Sequence, residues 1–295
     1  MKQLIKSATI YNAELPDAEA LLEHLEKAVF IDPLSLQAVS VGFVPREDDV
    51  ALVETFTGGL SFTVRLDQKI IPNSVVNAEV AKRVKQIKLE QGRKAGKKER
   101  KDIKSEVIDG FLPRALDKTT ITTCYYHPFS KYLIVPTTNK KVLGYAVSAL
   151  VDAVGSVKTT TINVSNVKGG LTTRLKQWLA DEEPAFDGLH PCDEVALEQE
   201  ARKVSIKMND LEAARSALNE ALAAHFEVKS LGFQFNDGTE ARLTDEFKLR
   251  RILFQHPPVE GEDELFAAQA TLEVSAVVDS VTALCEMFGY KEEEK

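Results

Sequence analysis

Several features that would assign a function at once are scarce in this 295-residue chain. Its three cysteines, Cys124, Cys192 and Cys285, are too few and too far apart for a disulfide framework or a zinc site. We therefore expect a protein of the reducing cytoplasm that carries no metal or other cofactor. A membrane-spanning helix needs a run of about 18 apolar residues, and no run in the sequence approaches that length. Residues 1–6 also lack the apolar core of a signal peptide. We expect no membrane association.

Recognisable catalytic and nucleotide-binding motifs are also missing. No two of the five histidines stand at metal-ligand spacing; they are His24, His127, His190, His225 and His256. The carboxylates are numerous but scattered, and the glycine pairs at 58–59 and 169–170 belong to no phosphate-binding loop. The single tryptophan, Trp178, is interpreted as a core residue, with a base-stacking platform as the alternative. We therefore expect a protein that is not an enzyme.

One segment, residues 82–104, has an unusual charge. It holds eleven basic and three acidic residues, a net charge of +8, on a chain whose formal net charge is −8. Such an asymmetry is typical of polyanion binding, and nucleic acid is the usual polyanion. The alternative is a solvated pair of charged helices, which usually carries mixed signs. The candidate DNA contacts are Lys82, Arg83, Lys85, Lys88, Arg93, Lys94, Lys97, Lys98, Arg100, Lys101 and Lys104.

The apolar pattern around this segment predicts a helical hairpin. The first helix begins near Pro72, with Asn73 or Ser74 as its cap, and runs for roughly 18 residues. Gly92 and Gly96 indicate a turn before the second helix. The two apolar stripes are Val76, Val80, Val84 and Ile87 in the first helix and Ile103, Val107 and Ile108 in the second. Packing these stripes together leaves the cations outside, so we predict a projecting basic hairpin.

The rest of the chain mixes strand and helix signals without a regular alternation, which favours an α+β fold with mixed sheets and packed helices. Residues 60–66 alternate between apolar and polar types and predict a strand with one buried face. Residues 267–274 predict a strand and 277–288 a last helix. Acidic residues, proline and glycine crowd residues 181–191 and indicate a boundary. We divide the chain into a central α+β domain (1–68 and 118–180), the basic hairpin (69–117) and a C-terminal α+β region (181–295).

Two further groups of cations are candidates for phosphate contact. Arg114 lies where the hairpin rejoins the body, and a salt bridge to Asp117 or another carboxylate is an equal alternative. A smaller cluster consists of Arg242, Lys248, Arg250 and Arg251. Alternation along a strand would direct only some of its members toward DNA, so its role stays open.

Several stretches stand in a familiar order. They are Gly42-Phe43-Val44-Pro45, Lys69-Ile70-Ile71-Pro72 before the basic segment, Leu112-Pro113-Arg114-Ala115 after it, Trp178 in a Leu-x-x-Trp context, Asp210-Leu211 and Asp237-Gly238. In this order and approximate spacing the chain resembles the bacterial recombination-associated protein RdgC family. The resemblance covers essentially the whole chain and is strongest over residues 69–115.

The resemblance implies a non-enzymatic protein that binds single- and double-stranded DNA with little sequence preference. It also implies a homodimer that closes into a ring with a basic inner surface, and restraint of the recombinase RecA at least partly through competition for DNA. The chain departs from the family at Leu116, where members can carry Phe. It departs again at Met208 and Asn209, where Lys-Gln is frequent and where the family predicts a dimer contact.

We therefore expect a cytoplasmic, nucleoid-associated, ring-forming DNA-binding protein that modulates recombination or replication by occupying DNA. No base-reading motif is present, which is why low specificity is expected. An adaptor whose basic hairpin docks on an acidic protein is the first alternative. A metal-dependent nuclease with a dispersed site is the second.

Overall fold

A computed structural model describes residues 3–47, 50–155, 157, 160–161, 167–182, 185–255 and 265–290. In this part of the chain the α+β class is confirmed, and the strands join in one large sheet. The strands are β1 (Ser7–Asn12), β2 (Val39–Val44), β3 (Val53–Phe56), β4 (Gly59–Ile70), β5 (Leu116–His127), β6 (Tyr132–Val135), β7 (Thr160–Thr161), β8 (His190–Gln199), β9 (Arg202–Lys207), β10 (Glu227–Gln234), β11 (Glu240–Thr244) and β12 (Lys248–Leu253). The helices are α1 (Ala18–Glu26), α2 (Asn73–Gln91), α3 (Lys97–Phe111), α4 (Lys140–Val154), α5 (Val167–Leu179), α6 (Leu211–Ala223) and α7 (Leu265–Met287).

The strand order is β2-β4-β5-β6-β1-β12-β11-β10-β8-β9, with β3 beside β4 and β7 beside β1. Where mixed sheets were expected, all of these named strands pair antiparallel in this one sheet. Because β1 pairs with β12, the sheet continues from the N-terminal to the C-terminal part of the chain. The division into 1–68 with 118–180, 69–117 and 181–295 stays a prediction.

Two hydrophobic cores lie on opposite faces of this sheet. Tyr125 belongs to a core shared with α5, α6 and α7, whereas its neighbour Tyr126 belongs to a core shared with α1 and α4. Successive residues of a strand point to opposite faces, so the two cores are separated by the sheet. The prediction that residues 60–66 have only one buried face is wrong, because Ser61 and Thr63 are also buried.

The last helix corrects a second prediction. Residues 267–274 are not a strand but the first part of α7, which runs from Leu265 to Met287. The helix is buried on most sides, so it lacks the polar stripe that normally reveals helical periodicity. Even Glu273 is fully buried, where its carboxylate accepts hydrogen bonds from the backbone N–H groups of Leu4 and Ile5. Among the described residues, no helix is long and apolar enough to span a membrane.

The centre of the molecule is the long antiparallel pair of β4 and β5. Their register runs from Leu60 opposite Tyr126 to Ile70 opposite Leu116. The segment between Ile70 and Leu116 contains α2 and α3, so both ends of this segment are held by adjacent, paired strands. Lys69 and Asp117 reinforce the junction with a 3.3 Å ion pair. The basic segment is therefore mounted at one end of the longest strands.

Candidate nucleic-acid interface

Helix α2 forms the first half of the basic segment. Its 19 residues give a length of about 28 Å at 1.5 Å per residue. The prediction of Asn73 or Ser74 as its cap is wrong, because Pro72 occupies the cap position and no side chain caps the helix. The helix ends at Gly92, whose φ of 64° lies in the left-handed region that glycine adopts without strain.

The turn between the helices is held by one carboxylate. Glu99 accepts a hydrogen bond from the backbone N–H of Gly96, 3.2 Å away, and thereby caps α3. Both oxygens of Glu99 also accept from the guanidinium of Arg93 at 2.7 Å. The hydrogen bonds from Arg93 lower the pKa of Glu99, and those to Glu99 raise the pKa of Arg93. The predicted turn is thus held in place by hydrogen bonds to Glu99.

A small apolar cluster joins the two helices. Val76, Ile103 and Val107 are buried in it. The partly buried side chains around them are Ile71, Val80, Val84, Ile87, Ile108 and Phe111. These residues include both predicted stripes, and the cluster is distinct from the two cores of the sheet. We call α2, the turn and α3 the hairpin.

The cations of the hairpin are well exposed. Of the eleven candidates, all are exposed except Arg83, which is half-buried. Three form ion pairs: Lys82 with Glu79 at 3.9 Å, Arg83 with Glu79 and Glu106, and Arg93 with Glu99. The other eight have no carboxylate within 4.0 Å in the described part of the chain; they are Lys85, Lys88, Lys94, Lys97, Lys98, Arg100, Lys101 and Lys104. Their charges are therefore available to a polyanion.

Arg114 is also exposed, in the 3₁₀ turn Leu112–Arg114 that follows α3. The salt bridge to Asp117 that was its alternative role is absent, because the carboxylate of Asp117 pairs with Lys69 instead. Within the described residues Arg114 has no carboxylate within 4.0 Å. Its position at the base of the hairpin keeps it a candidate for phosphate contact.

The second basic cluster is largely neutralised. Arg242 pairs with Asp193 and, at 3.0 Å, with Glu194. Lys248 is buried and pairs with Glu246 at 2.6 Å. These two cations therefore have little charge left for DNA.

The remaining two members of this cluster, Arg250 and Arg251, are both exposed. Arg251 lies 3.7 Å from Asp193. Its φ of 50° lies in the left-handed region and interrupts the regular alternation of β12. Arg250 is the one member without an ion pair in the described part of the chain, so the cluster adds little cationic surface.

The two residues assigned to a dimer contact lie between β9 and α6. Met208 is buried and packs in the core shared by α5, α6 and α7. Asn209 is exposed beside Asp210, whose carboxylate accepts from the N–H of Ala213 and caps α6. Of this pair, Asn209 is the side chain that a second copy can reach.

The described residues contain no group of three or more histidine, cysteine or acidic side chains that could hold a metal ion. His127 bonds Ser130 at 2.8 Å, and burial lowers its pKa. Trp178 packs partly buried against the larger core, with the guanidinium of Arg215 4.7 Å from the centre of its ring. The chemistry that the exposed groups do offer is concentrated on the hairpin, where cations face solvent.

A family model described as "Putative exonuclease, RdgC" matches residues 4–291. The chain belongs to the RdgC family. Its relatives include the "Recombination-associated protein RdgC" of Pseudomonas fluorescens (strain Pf0-1), 28% identical over 303 residues that cover 97% of each chain. The protein of the same name from Pseudomonas putida (strain GB-1) is 28% identical over 288 residues, 92% of each chain. The resemblance stated from the sequence is therefore confirmed.

The family description and the relatives' names point in different directions. The description names an exonuclease, whereas the relatives are named for recombination. This RdgC-family chain offers no positive sign of catalysis within the described residues.

Proposed function

We propose that this chain binds DNA without marked sequence preference through the cations of its hairpin and Arg114. The observation that carries the proposal is the set of eight exposed, unpaired lysines and arginines on an otherwise acidic protein. Such side chains neutralise phosphates and release counterions, which makes binding strong at low salt and indifferent to sequence. The relatives' association with recombination agrees with a DNA ligand.

The salt dependence of binding tests this directly. The logarithm of the binding constant should fall linearly with the logarithm of salt concentration, by about 0.9 for each duplex phosphate contact. Replacing Lys94, Lys97, Lys98 and Lys101 by Gln should reduce that slope by up to about 3.6 and weaken all duplex sequences alike. An unchanged slope and affinity in this variant would contradict the assignment of DNA binding to the hairpin.

We further propose that two copies close a ring around duplex DNA. Two contacts per chain are needed, and each must be self-complementary about a two-fold axis. We place one of these contacts at Asn209, whose side chain is exposed between β9 and α6. The other is supported by exposed apolar side chains at the base of the hairpin, where Ile70 and Leu116 pair across β4 and β5. Replacing Leu116 by Glu should open or dissociate the dimer, measured by sedimentation, while a monomeric parent protein would refute the ring.

In the cell, such a ring would be nucleoid-associated and would modulate RecA-dependent recombination by occupying DNA. Strand exchange by RecA should slow when this protein coats the substrate first, and DNA-binding variants should lose the effect in proportion to their affinity. Inhibition by a variant that no longer binds DNA would point to direct contact with RecA instead. It would then favour the alternative adaptor role, in which the hairpin docks on an acidic protein.

The family description favours exonuclease activity as a second candidate function. Incubation with end-labelled single- and double-stranded DNA and Mg²⁺ or Mn²⁺ tests it. Under the DNA-occupancy proposal the label stays full length, while stepwise shortening that co-purifies with the protein would establish a nuclease.

A further inference from the structure

The charges of α3 are divided between two sides of the helix. Residues spaced by three, four or seven positions share one side of an α-helix. Lys97, Lys101 and Lys104 follow this spacing, and so do Asp102, Glu106 and Asp109. At about 100° per residue the mean directions of the two triplets differ by roughly 140°. All six side chains are exposed. The net charge of the segment conceals this separation.

The ion pairs show which side chains of α2 lie next to the acidic side of α3. Arg83 of α2 reaches Glu106 of α3 at 3.4 Å and Glu79 of its own helix at 3.5 Å. Glu79 and Arg83 therefore lie on the same side of the hairpin as the acidic triplet. Glu99, which binds Arg93, lies on that side too. Every ion pair within the hairpin involves a carboxylate of this acidic side.

The opposite side of the hairpin carries only cations. Lys88 lies five residues after Arg83, about 140° around α2 and across the apolar stripe. It therefore flanks the lysines of α3, with Lys85 next to it on the outer surface. The cationic face consists of Lys85, Lys88, Lys97, Arg100, Lys101 and Lys104, all exposed. The acidic face consists of Glu79, Glu90, Glu99, Asp102, Glu106 and Asp109.

We propose that DNA lies against the cationic face and that the acidic face is turned away from it. The inference rests on the proposed DNA binding and specifies which side of the hairpin does it. Arg83 and Arg93, although basic, belong to the framework that holds the hairpin together. The acidic face repels DNA from the other side, so the hairpin binds a duplex on one side only.

The thickness of the hairpin makes this separation effective. An α-helix with its side chains is about 10 Å across, and charges are screened over about 8 Å at physiological ionic strength. A phosphate on one side is therefore largely screened from carboxylates on the other. A phosphate brought to the acidic side would instead meet Asp102 and Asp109, which have no cation within 4.0 Å in the described part of the chain. The two faces act as independent surfaces of opposite sign.

Two variants that each remove three charges from the hairpin test the inference. One replaces Lys97, Lys101 and Lys104 by Gln. Its matched control replaces Lys82, Arg83 and Arg93 by Gln, so the change in net charge is identical. The first should lower the salt slope by up to about 2.7 and the affinity for duplex DNA more than tenfold. The control should change the slope by less than about 1.

Equal losses in the two variants, or a greater loss in the control, would overturn the face assignment and leave hairpin DNA binding intact. No loss in either would overturn the DNA-binding proposal itself. Because the control removes ion pairs, a second measurement avoids any effect on folding. A photo-cross-linking residue placed at Lys104 should attach to bound duplex DNA, and the same residue at Asp102, about 160° away around α3, should not. Cross-links of similar yield from both positions would refute a one-sided interface.

Discussion

The hairpin should open as a unit separate from the body, because its apolar cluster is small and distinct from both cores of the sheet. Val107 is among the most buried members of that cluster, at 2% exposure. Replacing it by Ala removes two methyl groups, which costs about 2 kcal/mol once the remaining cavity is included. The better helix propensity of Ala returns about 0.5 kcal/mol. The free energy needed to open the hairpin should therefore fall by about 1.5 kcal/mol.

Hydrogen exchange measures this loss directly. A change of about 1.4 kcal/mol alters an equilibrium constant tenfold, so amides in the middle of α2 and α3 should exchange about ten times faster in the variant. Amides of β4 and β5 should be unaffected, since their protection depends on the sheet and its two cores. Replacing Leu89, an exposed residue of α2, by Ala is the matched control and should accelerate neither set.

Equal acceleration in the hairpin and in β4 and β5 would refute the reasoning, because it would mean that both open together with the rest of the protein. Unchanged exchange in the hairpin would refute it as well, since the cluster would then contribute nothing to holding α2 against α3. The two glycines of the turn, Gly92 and Gly96, predict that the tip at residues 92–98 is mobile without DNA. This stays a prediction, and the bonds from Arg93 and Gly96 to Glu99 oppose such mobility.

Three further outcomes are expected. Replacing Glu99 by Gln weakens both the cap at Gly96 and the bonds to Arg93, so tip amides should exchange faster while the middle of α2 keeps its protection. Replacing Glu273 by Ala leaves the buried N–H groups of Leu4 and Ile5 without their acceptor, and should cost about 3 kcal/mol or more in denaturant unfolding; Glu273→Gln should cost less. Hydrogen bonds from Lys140 and Lys248 lower the pKa of Glu246 from 4.5 to about 2. A carboxyl group whose pKa is lowered in the folded state stabilises that state at pH values above its ordinary pKa. The stability difference between the parent and Glu246→Gln should therefore shrink as pH falls from about 4.5 to about 2. Because Glu246 is half-exposed, added salt should reduce this difference.

The local features of the hairpin could be predicted because they depend on neighbours in sequence. The spacing of Val76, Val80 and Val84 predicts the packed side of α2, and Gly92 predicts its end. The separation of the cationic and acidic faces was also present in the spacing of Lys97 and Asp102 with their partners. Counting net charge over the whole segment missed it, because a sum discards direction. Plotting the charges on a helical wheel would have found it.

The errors at β4 and α7 have a common physical cause, which is burial by elements distant in sequence. The polar residues Ser61 and Thr63 indicate a solvent-exposed face of β4, yet Ser61 lies opposite Tyr125, which packs in the core shared with α7. Conversely, α7 is buried so extensively that its sequence shows no polar side, and Glu273 is accommodated by backbone N–H groups from the start of the chain. No local pattern contains such long-range contacts.

The attachment of the hairpin to the sheet limits how two copies can use it. Both ends of the hairpin continue into β4 and β5, whose pairing extends to Ile70 and Leu116 and is reinforced by Lys69 and Asp117. The direction of the cationic face is therefore set by the sheet rather than by free rotation. In a two-fold dimer both cationic faces must point either into the enclosed space or away from it. Only the inward arrangement allows a ring to bind the duplex it surrounds, since the outward arrangement would line the hole with Asp102, Glu106 and Asp109 and repel phosphate. A dimer structure with the acidic faces inward would therefore exclude DNA from the hole, whatever the width of that hole.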